Sequence, residues 1–373
     1  MKVLKDAWTL AIETYSWIEL KRLNERLALD KTAKQLGIED ARAISLAHKL
    51  VLETIRRQNF IDHFLNSLLK PLSLDDLKLG PKAFLRLYTY ETKIAKQNLE
   101  KAVSIVQMGR SILGWRSFQE IEEVLGKILT SNPSSFLQRL EDEEKTALLT
   151  YHPSWFVRYC FKLFGRKEAL ALLEDSVNVK PTYIRINTLK TSEETAIKKL
   201  ENEKIFLEKD EKLKHVYKVT KSQQALTRTE SFSQGQFYIQ DRASCLATEI
   251  ANPQSDMTVL DICAAPGAKT THLAQLMENK GVIYSVDYSQ RRMKIWEKQV
   301  KRMGVSIAIP IVADARKPLP INLTADLVTL DPPCTGTGTF SGTPSAKWRL
   351  TEKSMDSMAK IQWEMLSHCK EYV

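Results

Sequence analysis

Asp331 to Gly338 read "DPPCTGTG" and follow the apolar run "ADLVTL". Two prolines fix φ and withdraw backbone donors, so a strand has to stop there. Gly336, Gly338 and Gly342 then permit backbone shapes that a β-carbon forbids. A loop stiff at its start and permissive afterwards holds one carboxylate, Asp331, and one sulfur, Cys334, at a strand end. Those groups suit acid–base and nucleophilic chemistry. Three more acids, Asp261, Asp287 and Asp314, close the apolar runs "VLDIC", "GVIYSVD" and "IAIPIVAD". In an open parallel sheet ligands bind outside the carboxyl ends of the strands, so four acids at such ends are expected to converge on one crevice.

The first of these runs leads into "CAAPGAK", Cys263 to Lys269. Gly267 admits close approach of a ligand, while Ala264 and Ala265 leave room beside it. Asp287 follows Gly267 by twenty residues, the offset at which an acid takes ribose hydroxyls. Both the G-x-G-x-x-G fingerprint and the P-loop pattern are absent, so a nucleoside without a pyrophosphate fits better. That points to S-adenosylmethionine, with Asp287 on the ribose and Asp314 accepting from the adenine amino group.

The elements that must position these groups change in texture along the chain. Residues 1–150 carry few glycines and long helical periodicity. In "ARAISLAHKLVLETIRRQ", Ile44, Ala47, Val51 and Ile55 recur at spacings of three and four and form one stripe. Ser73 with Asp76 three later reads as a capping box opening another helix. Residues 151–231 form a small α/β lobe. There "PTYIRINTLK" alternates as a half-buried strand, with Tyr183, Arg185 and Asn187 on the wet face and Ile184 and Ile186 inward. From residue 232 to 373 strand, turn and helix repeat, which implies a parallel sheet with helices on both faces.

Several of these stretches together carry a family resemblance. "LDICAAPGAKTTHLAQLM", "VDYSQRRM", "VADAR" and "DPPCTGTG", in this order, look like the Sun/Fmu (RsmB/Nop-type) family of RNA cytosine-5 methyltransferases. "YIRINTLK" and "GQFYIQDRASCLA" resemble the segments just upstream. "SLAHKLVLETIRRQNFIDHFL" and "KLGPKAFLRLYTYE" resemble NusB-like RNA-binding domains. The resemblance implies a Rossmann-like α/β methyltransferase domain preceded by an all-α NusB-like domain and the small lobe. It implies S-adenosylmethionine held by Cys263, Ala264, Ala265, Pro266, Gly267, Ala268, Lys269, Asp287, Asp314 and Asp331. Asp331, Lys269 and Cys334 are the implied catalytic residues. Ala268 departs from the pattern, which has a second glycine there.

In this chemistry a thiolate adds to cytosine C6 and so makes C5 nucleophilic. The resemblance places that thiolate in a later Thr-Cys-Ser stretch and gives the cysteine of "DPPC" the task of assisting release. The sequence ends at "HCKEYV", so the domain is expected to be cut short after its fourth strand and following helix, with the attacking sulfur beyond Val373. Cys369, inside a helical pattern, reads as a packing residue, as do Cys160 and Cys245. Arg185, Asn187 and Arg349 are the expected RNA contacts, with rRNA or tRNA as substrate. An amino-group methylase is the weaker reading, because an aromatic ring would follow "DPP" in place of Cys334. A non-catalytic RNA-binding protein is the second rival.

The formal net charge of +10 over 373 residues favours a polyanionic partner. Five cysteines and six histidines are dispersed without metal-ligand spacing, so no metal is expected. The charged N-terminus lacks an apolar signal core, and no run reaches the roughly 18 apolar residues of a membrane span. The chain therefore reads as a soluble, cytoplasmic monomer.

Overall fold

The computed structural model describes residues 2–138 and 140–373. Its chain divides into two compact units, the first running up to Val179 and including Gly336–Leu350, the second Lys180–Thr335 with Thr351–Val373.

The first unit is all-helical. Local signals set its helix ends. The Asn24 side chain accepts from the Leu27 amide at 2.8 Å to open the helix Glu25–Leu36, and Gly37 at φ 64 closes it in the left-handed conformation. Asp40 caps Ala41–Arg56 in the same way. The expected stripe on that helix is buried at Ala47, Val51 and Ile55, joined by Ala43 and Leu50, with Ile44 partly covered at its edge. Ser73 and Asp76 do form a capping box, but it opens only the 3-10 turn Leu74–Asp76. The next α-helix, Leu79–Thr89, starts independently of it. Phe84 sits at the centre of this core, with Trp8, Tyr88 and Phe118 rings 5.7–6.0 Å away. Gly109 lets the ring approach, since a β-carbon there would lie 2.3 Å from Phe84 Cζ.

The second unit contains two sheets. Strands β1 (Tyr183–Ile186), β2 (Ile205–Lys209), β3 (Val216–Ser222) and β4 (Phe237–Ile239) form an antiparallel sheet in the order β2-β3-β1-β4. Strands β5 (Thr258–Ile262), β6 (Val282–Asp287), β7 (Ala308–Val312) and β8 (Leu327–Leu330) form a parallel sheet in the order β7-β6-β5-β8. Pro310 sits in β7 because that strand is an edge, where a missing backbone donor is tolerated. The chain runs β5, β6, β7 in one direction and then returns to β8 on the other side of β5. The order therefore reverses between β5 and β8, the point at which open sheets bind ligands.

Candidate functional site

The loops leaving β5, β6 and β8 bring most of the expected residues together. Lys269, in the first turn of the helix Ala268–Leu276 that follows β5, donates from Nζ to Asp331 Oδ2 at 2.6 Å. Asp331 directly follows β8, and its amide donates to the Ile262 carbonyl at the end of β5. The cation and carboxylate thus meet at the reversal of strand order, and Asp331 is open to solvent. Cys334, three residues on, is the exposed thiol of the five. Cys160, Cys245 and Cys369 are buried and Cys263 is half-buried. Burial, helped by the neighbouring Asp287 carboxylate, pushes the Cys263 thiol up to about 12. Cys263 is therefore a poor source of thiolate near neutral pH.

The loop Cys263–Lys269 is held from below. Cys263 adopts φ 66, an uncommon conformation for a residue with a β-carbon. The Ala264 amide donates to the Val286 carbonyl at 3.0 Å, and the Ala265 amide to Asp287 Oδ2 at 3.3 Å. Ala264 and Ala265 are buried and Pro266 is exposed. Gly267, at φ 108, precedes the helix, where a β-carbon would lie 3.3 Å from Trp296 Cδ1. Ala268, at the expected second-glycine position, is simply the first helical residue.

Asp287 is buried at the end of β6 and accepts the Ser289 amide at 3.0 Å as well as that of Ala265. Arg292 pairs with its Oδ2 at 3.0 Å and also donates to the Ala265 carbonyl. Sequence reasoning did not single out Arg292. The available signal was its place in the first turns after a strand-end acid. Asp314 lies two residues past β7, and the Arg316 guanidinium bonded to it holds its carboxyl below the usual range.

Asp261 corrects the picture of four converging acids. It is buried, with Thr270 Oγ1 donating to one oxygen at 2.5 Å and Thr329 Oγ1 to the other at 3.1 Å. Burial raises its pKa to about 6, with the two hydroxyl bonds opposing. It ties β5, β8 and the helix Ala268–Leu276 together beneath the crevice. Beside them lies a cavity of about 190 Å³ lined by Lys269, Leu273, Thr329 and Leu330.

The expectation that Arg185 and Asn187 face RNA is not met. Both are fully buried, so β1 has two dry faces. Arg185 donates to Gln240 Oε1 at 2.9 Å, to Thr271 Oγ1 at 3.0 Å and to Gln275 Oε1. Asn187 donates to the Gly235 and Met303 carbonyls at 2.8 Å each. They fasten β1 to the helices Ala268–Leu276 and Gln290–Met303. Arg349 is exposed, and its guanidinium donates to the Arg22 and Leu23 carbonyls.

Small buried residues, a positive-φ turn and a strand-end carboxylate side by side suit a nucleoside cofactor, and the residues present fit one. Among the described residues no group of three or more His, Cys, Asp or Glu is arranged to hold a metal, and no helix is long and apolar enough to cross a membrane.

Most of the chain resembles known proteins. Residues 248–373 match a family profile described as 16S rRNA methyltransferase RsmB/F, and residues 152–225 match the ferredoxin-like domain of RsmF/B-like methyltransferases. The chain is 28% identical to a probable ribosomal RNA small subunit methyltransferase B of Bacillus subtilis, over 96% of this chain and 80% of that protein. It is 33% identical to the 25S rRNA (cytosine-C(5))-methyltransferase nop2 of Schizosaccharomyces pombe, over 55% of this chain and 34% of that one. A tRNA (cytosine(72)-C(5))-methyltransferase of Pyrococcus horikoshii is 37% identical over 37% of this chain and 35% of its own. Among solved structures, that of PH0851 aligns with a TM-score of 0.81 at 28% identity, covering 99% of this chain and 83% of that one.

Proposed function

The chain belongs, through its ferredoxin-like and methyltransferase regions, to the RsmB/F methyltransferase family, and from that premise we propose that it methylates C5 of a cytosine in RNA. The observation that carries the proposal is the Lys269–Asp331 pair at the reversal of strand order, on the loop that presents the exposed Cys334.

S-adenosylmethionine, when bound, supplies the methyl group. Cys263 to Lys269 and Asp287 would hold it, with Asp287 on the ribose hydroxyls and Arg292 orienting that carboxylate. Asp314 would meet the adenine amino group. Asp331 and Lys269 are placed to grip the polar edge of a cytosine and to stabilise the charge that develops when a thiolate adds to C6. That addition forms a sulfur–C6 bond and turns C5 into an enamine carbon. Once C5 carries its methyl group, loss of the C5 proton to a base returns the electron pair and breaks the sulfur–C6 bond.

Two readings of Cys334 remain distinct. The family resemblance gives it the release step. Its exposure, set against three buried thiols and the half-buried Cys263, favours it as the attacking sulfur. The test is Cys334→Ala, followed on denaturing gels with radiolabelled RNA. An attacking Cys334 predicts an adduct that disappears in the variant, whereas an adduct that persists or accumulates in the variant assigns the attack to another thiol and leaves Cys334 the release step. RNA binding by the helical unit rests on its resemblance to NusB-like domains and belongs to the same proposal.

A further inference from the structure

Asp261 is buried near the end of β5, and both of its carboxylate oxygens are engaged. Thr270 Oγ1 donates to Oδ2 at 2.5 Å and Thr329 Oγ1 to Oδ1 at 3.1 Å. The two hydroxyls belong to different elements. Thr270 adjoins Lys269 in the first turn of the helix Ala268–Leu276, and Thr329 stands two residues before Asp331 on β8. Asp261 lies opposite Thr329 in the parallel ladder, and the carbonyl of the next residue, Ile262, takes the Asp331 amide at 3.2 Å. Two consecutive residues of β5 therefore hold both carriers of the Lys269–Asp331 pair. Trp296 Nε1 donates to Thr270 Oγ1 at 2.9 Å, which leaves that hydroxyl's own proton for Asp261. All of these residues belong to the second unit.

Stability alone does not call for a carboxylate in this place. Taking a charge out of water is costly, and a well-packed apolar group in its stead is often neutral or stabilising. Burial accordingly pushes the Asp261 carboxyl up to about 6, against the two hydroxyl bonds and the Lys269 charge. What a carboxylate adds is geometry. Its two oxygens diverge at a fixed angle and accept from both hydroxyls at once, which fixes the helix against the strand. Only Leu330 separates Thr329 from Asp331, so holding the one limits where the other points. Lys269 and Thr270 are neighbours on one helical turn, so the same carboxylate limits where Nζ reaches. The pair above gains little rigidity from itself: Asp331 is exposed, and an ion pair open to water contributes little.

We infer that Asp261 is a positioning residue for the Lys269–Asp331 pair, holding the two side chains at contact distance through Thr270 and Thr329. The inference rests on reading that pair as catalytic. Buried and fully bonded, Asp261 acts through the two threonines and not on a ligand.

The test uses the full chain and acetic anhydride, with acetylation of each lysine followed by mass spectrometry under native conditions. A lysine Nζ bonded to a carboxylate has to leave it before it can attack the reagent, so the rate reports how often the pair opens. Thr329→Val deletes the hydroxyl on the strand side. Asp261→Asn leaves one acceptor oxygen where two are needed. Thr329→Ser keeps the hydroxyl. Cys245 and Cys369, buried in the same unit, report general loosening through their alkylation by iodoacetamide. The Lys269 rate should rise on the order of threefold or more in Thr329→Val and in Asp261→Asn. It should stay at its original value in Thr329→Ser, and the two thiols should stay protected throughout. An unchanged Lys269 rate in either of the first two variants would overturn the inference. A Thr329→Ser chain as reactive as Thr329→Val would overturn it too, because the hydroxyl would then not matter. So would a parallel rise at Cys245 and Cys369, which marks Asp261 as a support of the whole unit. If Asp261→Asn does not fold, Thr329→Val decides alone. None of these readouts requires methyl transfer, so failure here is read apart from failure of the proposed function, which the nucleoside product decides.

Discussion

Lys347→Met should flatten the pH dependence of the helical unit's stability. A free lysine titrates at 10.5, whereas burial of Lys347, whose Nζ reaches the Arg56 and Tyr151 carbonyls, holds it at about 7 in the folded chain. Between those values the unfolded chain binds a proton that the folded chain does not. Folding is therefore progressively penalised as pH falls from 10.5 to 7, and the penalty is constant below that. For this one group, stability should rise by about 1.4 kcal/mol per pH unit across that window, or roughly 2–3 kcal/mol from pH 7.5 to 9.5. Other titrating groups contribute to both proteins and cancel in the difference. Urea unfolding followed by tryptophan emission suits the measurement, since Trp8, Trp17, Trp115, Trp155 and Trp348 belong to this unit and only Trp296 and Trp363 to the other. The original chain should gain roughly 2 kcal/mol more than Lys347→Met between the two pH values. Equal gains would mean that Lys347 keeps its charge when buried, and the pairing of a neutral amine with two carbonyls would be wrong.

Three further outcomes are expected. Asp287→Asn should weaken S-adenosylmethionine binding by roughly 1.5–3 kcal/mol, about tenfold to a hundredfold, because a charge-assisted bond is lost; unchanged affinity by calorimetry removes Asp287 from the ribose role. Lys269→Met should leave cofactor affinity within about threefold yet lower single-turnover methylation on the order of a hundredfold, and an equal loss in both would make Lys269 a cofactor residue only. Gly109→Ala should destabilise the helical unit by about 1–3 kcal/mol through overpacking against Phe84, read as a lower urea midpoint; an unmoved midpoint would show that the ring relaxes freely.

The parts of this protein legible in its sequence are those specified locally. Strand, turn and helix repeat from Val259 onward, and the prolines and glycines around Cys334 mark a strand end wherever they occur. The capping box of Ser73 and Asp76 acts within three residues. What stayed hidden depends on partners far away in the chain. Arg185 and Asn187 alternate with isoleucines and so read as a wet face. Their acceptors lie on Gln240, Thr271 and Gln275 and on the Gly235 and Met303 carbonyls. Backbone carbonyls leave no trace in a sequence, because every residue has one. For the same reason nothing in "SGTPSAKWRL" announces that Lys347 and Trp348 bond to carbonyls of Arg56, Tyr151 and Ile55. Asp261 was recognisable as an acid at a strand end. That two threonine hydroxyls enclose it follows only from the pairing of β5 with β8.

Cytosine-C5 chemistry is tested most directly by where the methyl group goes. The chain is incubated with S-adenosylmethionine carrying a deuterated methyl group and with unmodified rRNA and tRNA. The RNA is then digested to nucleosides and weighed by mass spectrometry. Whatever the turnover, the label is expected in 5-methylcytidine, and Lys269→Met should remove it. Label in N4-methylcytidine or in another base would contradict the reading of Lys269, Asp331 and Cys334.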